Sequence, residues 1–279
     1  MLSYRHGFHA GNPADVLKHA VLALCLDYLT RKDKPMLLVD THAGAGSYQL
    51  DSSYAQKTGE YRTGIGRLWG RDDLPATLQP YMDAVRGVNA GLALNYYPGS
   101  PMIANHYLRP QDRAVCFELH PADADKLQRR LASHRNWQLR REDGLANLKS
   151  LLPPRERRGL VLIDPSYEVK RDYYSVIDCL REAHQRFATG TYLLWYPVLK
   201  RDQVTQLVRR FSALGAPDSW VAELCLSADS EGLGMTGSGL LMINPPWSLA
   251  EQLESLLPWL QGALGSADGS VRLERLVAE

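Results

Sequence analysis

The chain has 279 residues, 45% of them hydrophobic and 23% charged, enough for one large domain with an insertion or for two small ones around a sizeable core. A formal net charge of +1 excludes the strongly basic composition that marks a dedicated polyanion-binding domain, and no apolar run approaches the length of a membrane span. The cysteines Cys25, Cys116, Cys179 and Cys225 lie far apart in apolar contexts such as AVCFEL, a pattern of reduced core residues rather than a disulfide framework or a zinc spacing.

The amino-terminal stretch MLSYRHGFHAGN has no apolar signal region, which leads to the expectation of a cytoplasmic protein. A helix is predicted over 12–30: Asn12 can cap it, Pro13 suits its first position, Asp15 favours the positive end of its dipole, and Val16, Leu17, Ala20, Val21 and Leu24 recur at helical spacing. Strands are predicted at 36–40, 114–119, 136–140, 159–164 and 191–196, with helices near 121–134, 144–151, 171–188 and 200–213 between or after them. Such alternation argues for βαβ units and a mainly parallel sheet covered by helices. Two further strands, 219–227 and 238–246, have only a Gly-rich stretch between them and read as a closing antiparallel pair, followed by a helix at 248–263. The rhythm breaks once. The interval 51–99 is far longer than a crossover needs and reads as an inserted helical subdomain, with 1–50 and 100–279 forming the core.

The strand ends carry the chemistry. The first runs into DTHAGAG (40–46), where Gly44 and Gly46 fit a tight turn that lets backbone approach a ligand. The third position of a dinucleotide fingerprint falls on Gln49 and no Lys-Ser/Thr pair follows, so neither an NAD site nor a Walker loop is matched, and the turn alone is also compatible with plain structure. The second strand ends in Glu118, placed to accept from a ribose diol. Asp143-Gly144 follows the third: Asp143 reads either as a helix cap or as an acceptor for an exocyclic amine, with Gly144 leaving room for an adenine ring. The fourth ends in Asp164-Pro165-Ser166-Tyr167.

This series resembles the class I AdoMet-dependent methyltransferases, and Asp-Pro-Ser-Tyr is similar to the Asp/Asn-Pro-Pro-aromatic tetrapeptide of their amino-group branch, with Ser166 in place of proline. SYRHGFHAGNPADVLKH (3–19), DTHAGAG, YYPGSP (96–101), FELHP (117–121), DG (143–144) and LWYPV (194–198) together resemble the RlmJ family of bacterial 23S ribosomal RNA adenine-N6 methyltransferases over essentially the whole chain. The resemblance implies a seven-stranded sheet of order 3-2-1-4-5-7-6, S-adenosyl-L-methionine (AdoMet) as methyl donor, no metal, and 23S ribosomal RNA as partner. It assigns His19, His42, Ser100, Glu118, Asp143, Gly144 and Asp164 to the cofactor, and the glycine turn adds Gly44. Tyr4 is expected at the RNA, and Lys18 at an RNA phosphate or the methionine carboxylate.

The tetrapeptide has a chemical reason. The lone pair of an adenine N6 amine is delocalised into the ring, and acceptors against its two hydrogens pyramidalise it. The Asp164 carboxylate and the Pro165 carbonyl suit that role, with Tyr167 stacking on the base. A second tetrapeptide, Asn244-Pro245-Pro246-Trp247, is the better literal match, but it follows the terminal antiparallel strand and is expected to point away from the cofactor edge. His6, His9, His19 and His42 match no familiar metal spacing. The expectation is a monomeric enzyme, not associated with membranes, that methylates one adenine. The alternatives are a DNA adenine-N6 methyltransferase, a non-catalytic nucleic-acid-binding protein on a methyltransferase scaffold, and an NAD-dependent oxidoreductase, which leaves Asp-Pro-Ser-Tyr unexplained.

Overall fold

The structure is a computed structural model that describes residues 5–168, 171–229 and 234–278. Its strands are β1 (Leu37–Asp40), β2 (Ser47–Gln49), β3 (Tyr96–Pro98), β4 (Arg113–Phe117), β5 (Trp137–Arg140), β6 (Gly159–Ile163), β7 (Thr191–Val198), β8 (Ser219–Cys225), β9 (Gly237–Ile243) and β10 (Ser270–Val277). The α-helices are α1 (Pro13–Arg31), α2 (Ser53–Thr58), α3 (Ile65–Leu68), α4 (Gln79–Gly87), α5 (Ser100–Tyr107), α6 (Pro121–Leu131), α7 (Gly144–Asn147), α8 (Asp172–Arg186), α9 (Arg201–Ser212) and α10 (Leu249–Leu264).

Eight strands form one sheet in the order β10-β8-β9-β7-β6-β1-β4-β5. From β5 to β7 the pairings are parallel, while β9 inserts antiparallel between β7 and β8. Setting aside the separate antiparallel β2–β3 pair, this is the expected order 3-2-1-4-5-7-6 with one strand added. The expectation of seven strands is corrected to eight because β10 pairs antiparallel along β8. Its sequence SVRLERLV hid it: alternation fails at Arg275-Leu276, where the ladder itself shifts register between Arg275 and Val277.

Side chains alternate across the sheet and feed two apolar layers. Leu37, Val39, Val115, Phe117, Val161 and Ile163 join the layer under α8 and α9, whereas Leu38, Ala114, Leu160 and Leu162 join the layer that holds α1 and α10. Burial on both faces explains why these strands read as continuous apolar runs.

Helix α1 is buried on all sides from Pro13 to Leu26, packed against α4, α5 and α10 as well as β7 and β9. Its start is set as the sequence predicts, with Asn12 accepting from the Asp15 N–H and Pro13 at the first position. Within 51–99 lie α2, α3, α4 and β3, and Leu68, Tyr81 and Val85 belong to the same apolar layer as α1. Glu60 ties this interval to the start of α1, accepting from Asn12 Nδ2 at 3.0 Å and meeting His9 Nδ1 at 2.9 Å. Gly64 lies so close that a Cβ there would sit 2.1 Å from the Gly11 carbonyl oxygen.

Candidate active site

A cavity of about 640 Å³ opens at the carboxyl ends of β1, β4, β6 and β7 and reaches the start of α1. Nine carboxylates and one lysine, with no arginine, line it among the described residues. Such a lining favours a cationic ligand and disfavours a phosphate within the cavity. Among the described residues no group of three or more His, Cys, Asp or Glu is placed to hold a metal ion, and no helix is long and apolar enough to cross a membrane.

The tip of β6 carries Asp164, whose side chain is only 13% exposed. Burial raises its pKa, and the neighbouring Lys18 ammonium opposes that rise. Lys18 Nζ lies 2.5 Å from Asp164 Oδ2 and 2.9 Å from Asp15 Oδ1. Asp15 in turn accepts from the Gly11 N–H at 2.9 Å and meets His6 Nε2 at 2.8 Å, both through Oδ2. Lys18 was expected at an RNA phosphate or the methionine carboxylate; in the structure its side chain is 4% exposed, borders the cavity and is held between two carboxylates rather than at the open surface. The sequence reading took Asp15 only as a helix-dipole residue, although its i,i+3 spacing to Lys18 was the available signal.

Glu118 closes the glycine turn. Its Oε2 accepts from the Gly44 N–H at 2.8 Å and its Oε1 from the His120 N–H at 2.6 Å, leaving a lone pair on each oxygen for ligand hydroxyls. Burial raises its pKa, and these two backbone donors pull the other way. Gly44 has φ 60°, the left-handed region that favours glycine, and a Cβ there would lie 2.2 Å from the Tyr48 hydroxyl and displace the tip of that side chain. His42, bonded through Nδ1 to Thr41 Oγ1 at 2.8 Å, borders the cavity with its pKa lowered to about 4, chiefly by burial.

Asp143 is the helix cap that was one of its two readings. Its Oδ1 caps α7 by accepting from the Leu145 and Ala146 N–H groups, and the residue also lines the cavity. Gly144 borders the cavity as well, and a Cβ there would lie 2.2 Å from the Thr41 carbonyl oxygen, so the glycine also lets α7 press against the chain after β1.

Ser100, buried at the start of α5, donates to Asp40 Oδ2 at 2.6 Å and borders the cavity. Asp40 also accepts from the His42 N–H, and burial raises its pKa to about 6. His19 is buried, bonded to the Tyr97 hydroxyl, with its pKa lowered to about 3 mainly by burial. Asp40 and Tyr97, which do not border the cavity but bond to Ser100 and His19, were not singled out in the sequence.

Pro165 and Ser166 border the cavity, but Tyr167 does not. The expected stacking residue adopts φ 53° and turns its ring into the core, where it is 6% exposed and its hydroxyl donates to the Trp195 carbonyl at 2.7 Å. A left-handed aromatic residue is strained, and strain of this kind gathers at functional loops. Asn244 sits at the opposite edge of the sheet, its neighbour Ile243 pairing with Tyr192 near the start of β7, and its Nδ2 donates to the Ala188 and Gly190 carbonyls. The Asn-Pro-Pro-Trp stretch thus borders a separate depression of about 220 Å³. Tyr4 lies outside the described residues.

Residues 33–277 match the family described as "RsmJ: Ribosomal RNA large subunit methyltransferase D, RlmJ". The chain is 50% identical over 264 residues to "Ribosomal RNA large subunit methyltransferase J" of Escherichia coli, covering 95% of this chain and 94% of that protein. It is 48% identical to the Haemophilus influenzae protein of the same name, with the same coverage. The crystal structure of a Legionella pneumophila protein superposes with a TM-score of 0.90 at 37% identity, covering 96% of this chain and 98% of that one. A tetrapeptide held at the carboxyl edge of a sheet in this strand order, and likeness along nearly the whole chain, agree: the chain belongs to the RlmJ family of ribosomal RNA large subunit methyltransferases.

Proposed function

We propose that this protein transfers a methyl group from AdoMet to N6 of one adenine in 23S ribosomal RNA, and that the reaction takes place beside Asp164. The observation that carries the reading is the position of Asp164-Pro165 at the tip of β6, inside an acid-lined cavity of about 640 Å³. That lining supports a sulfonium ligand, whose positive charge the carboxylates favour. RNA as substrate is carried by the family and by what its curated relatives are named for.

When bound, AdoMet supplies an electrophilic methyl group. Glu118 accepts from ribose hydroxyls while it keeps the Gly44 turn closed, and Asp143 accepts from the exocyclic amine of the donor's adenine with the oxygen that does not cap α7. His19, His42 and Ser100 complete the donor site. At the other end, the Asp164 carboxylate and the Pro165 carbonyl accept hydrogen bonds from the two N6 hydrogens of the target base and localise the nitrogen lone pair for in-line attack; the N–C bond would form as the methyl–sulfur bond breaks, and N6 would release one proton to solvent. Lys18 and Asp15 fix the Asp164 carboxylate, so one oxygen stays oriented while the other faces the base. Tyr167 stacks on the base only after its hydroxyl releases the Trp195 carbonyl.

A paired and stacked adenine cannot reach the tip of β6, so the base is extruded, most readily from a loop or unpaired segment. The interval 51–99 is read as an inserted subdomain that, with Tyr4, holds RNA around the flipped base. The enzyme acts as a cytoplasmic monomer. The test is to incubate it with methyl-labelled AdoMet and separate pools of large-subunit RNA and DNA, then digest to nucleosides. Label in N6-methyladenosine from RNA supports the proposal, whereas label on cytosine, on ribose or only in duplex DNA refutes the substrate assignment.

A further inference from the structure

Tyr97 stands in a buried polar chain that the reaction above does not use. Its hydroxyl lies 2.8 Å from His19 Nδ1 and 3.2 Å from the Tyr81 hydroxyl, and its ring stacks on the imidazole with centroids 5.6 Å apart. Both tyrosines are fully buried, and the Tyr81 hydroxyl has no other hydrogen-bond partner among the described residues. His19 borders the cavity, and its second ring nitrogen, Nε2, is buried without a partner in the protein.

The chain admits two proton arrangements. In one, Tyr81 donates to Tyr97, Tyr97 donates to Nδ1, and the imidazole proton resides on Nε2. In the other, Nδ1–H donates to Tyr97, Tyr97 donates to Tyr81, and the Tyr81 proton has nowhere to go. Each arrangement leaves one buried donor without a partner in the protein, Nε2–H in the first and the Tyr81 hydroxyl in the second. His19 borders the cavity and Tyr81 does not, so a ligand there can satisfy the first arrangement and not the second.

We propose that Tyr97, backed by Tyr81, is a positioning residue that holds His19 in its Nε2–H tautomer, so that the ring donates into the cavity to a carboxylate oxygen of the methyl donor's amino-acid end. This rests on the proposed use of AdoMet. The chemistry of the cavity divides accordingly: Glu118 and Asp143 are acceptors and suit the hydroxyls and amine of a nucleoside, whereas Nε2–H is a donor and suits a carboxylate. Burial keeps the ring neutral, with a pKa of about 3, so the donor adds no positive charge beside Lys18 or a sulfonium.

The test combines a tautomer measurement with two ligands. In protein labelled with ¹⁵N-histidine and saturated with S-adenosylhomocysteine, the His19 signals, assigned by their loss in His19→Gln, should show an unprotonated Nδ1 and a protonated Nε2. Tyr97→Phe should shift them toward the Nδ1–H form or a mixture. It should weaken S-adenosylhomocysteine binding by roughly tenfold while leaving adenosine binding unchanged. Tyr81→Phe should keep the wild-type tautomer, because Tyr97 still donates. Unchanged adenosine binding certifies an intact nucleoside site. A wild-type Nδ1–H signal, or a Tyr97→Phe protein with unaltered tautomer and affinity, overturns the proposal. If wild-type protein binds neither ligand, the use of AdoMet fails, whereas tight S-adenosylhomocysteine binding with an Nδ1–H signal overturns this proposal alone.

Discussion

Replacing Asp15 by asparagine should destabilise the protein by about 2–4 kcal/mol, because that carboxylate holds three donors at once. Its Oδ2 takes the Gly11 N–H and faces His6 Nε2, and its Oδ1 faces the Lys18 ammonium at 2.9 Å. Asparagine keeps one oxygen and presents an NH₂ on the other side, so it either abandons Lys18 or confronts the Gly11 N–H donor. Removing one partner of a buried ion pair typically costs about 3–5 kcal/mol. Asp164 remains on Lys18 at 2.5 Å, which lowers the expectation to the range given. In thermal unfolding that corresponds to a fall of roughly 4–16 °C. The sign with pH follows from the lowered pKa of Asp15: burial alone would raise it, but His6 and Lys18 hold it well below its usual value. The contribution is therefore fully present above the unfolded pKa of 3.8 and is lost as the pH falls from there through the folded value. Urea unfolding of wild type and Asp15→Asn at neutral and acid pH measures both. A difference below about 1 kcal/mol at neutral pH would refute the idea that Asp15 organises Lys18 and Asp164.

Glu118→Ala should weaken binding of AdoMet or its demethylated product by roughly 1–3 kcal/mol, read by calorimetry; unchanged affinity would remove Glu118 from the ribose site. Because His19 titrates near 3 when folded and 6.5 when free, it should make stability fall by up to about 1.4 kcal/mol per pH unit as the pH drops below 6.5. His19→Gln should lack that component, which parallel pH–stability curves would show. Tyr167→Phe should cost about 1 kcal/mol of stability through the lost bond to the Trp195 carbonyl while keeping a ring able to stack; a large loss of methylation at full stability would instead give the hydroxyl its own part in the reaction.

Most of the sheet was legible because its strands are buried on both faces and therefore apolar throughout, and because helices with clear starts, such as the one capped by Asn12, separate them. The strand β10 escaped because it lies at an exposed edge, where its charged residues and register shift leave no clean period. At the site, residues at strand tips were legible since topology alone places them together: Gly44, Glu118, Asp143 and Asp164 all border one cavity. What failed was side-chain direction. Nothing in Asp-Pro-Ser-Tyr reveals that a left-handed backbone turns Tyr167 inward, and nothing in a helix pattern reveals that Lys18 faces two carboxylates rather than solvent. Tyr97 was hidden for a related reason, since its partner His19 is 78 positions away in the sequence.

The central claim is that chemistry occurs at Asp164 and not at the better-matching Asn244. Methyl transfer to large-subunit RNA, measured side by side for Asp164→Ala and Asn244→Ala under single-turnover conditions with saturating AdoMet, tests it most directly. Asp164→Ala should lose turnover with its fold intact. Asn244→Ala, which gives up two bonds to the Ala188 and Gly190 carbonyls at the far edge of the sheet, should be less stable yet transfer methyl groups wherever it remains folded. A folded, inactive Asn244→Ala beside an active Asp164→Ala would contradict the account.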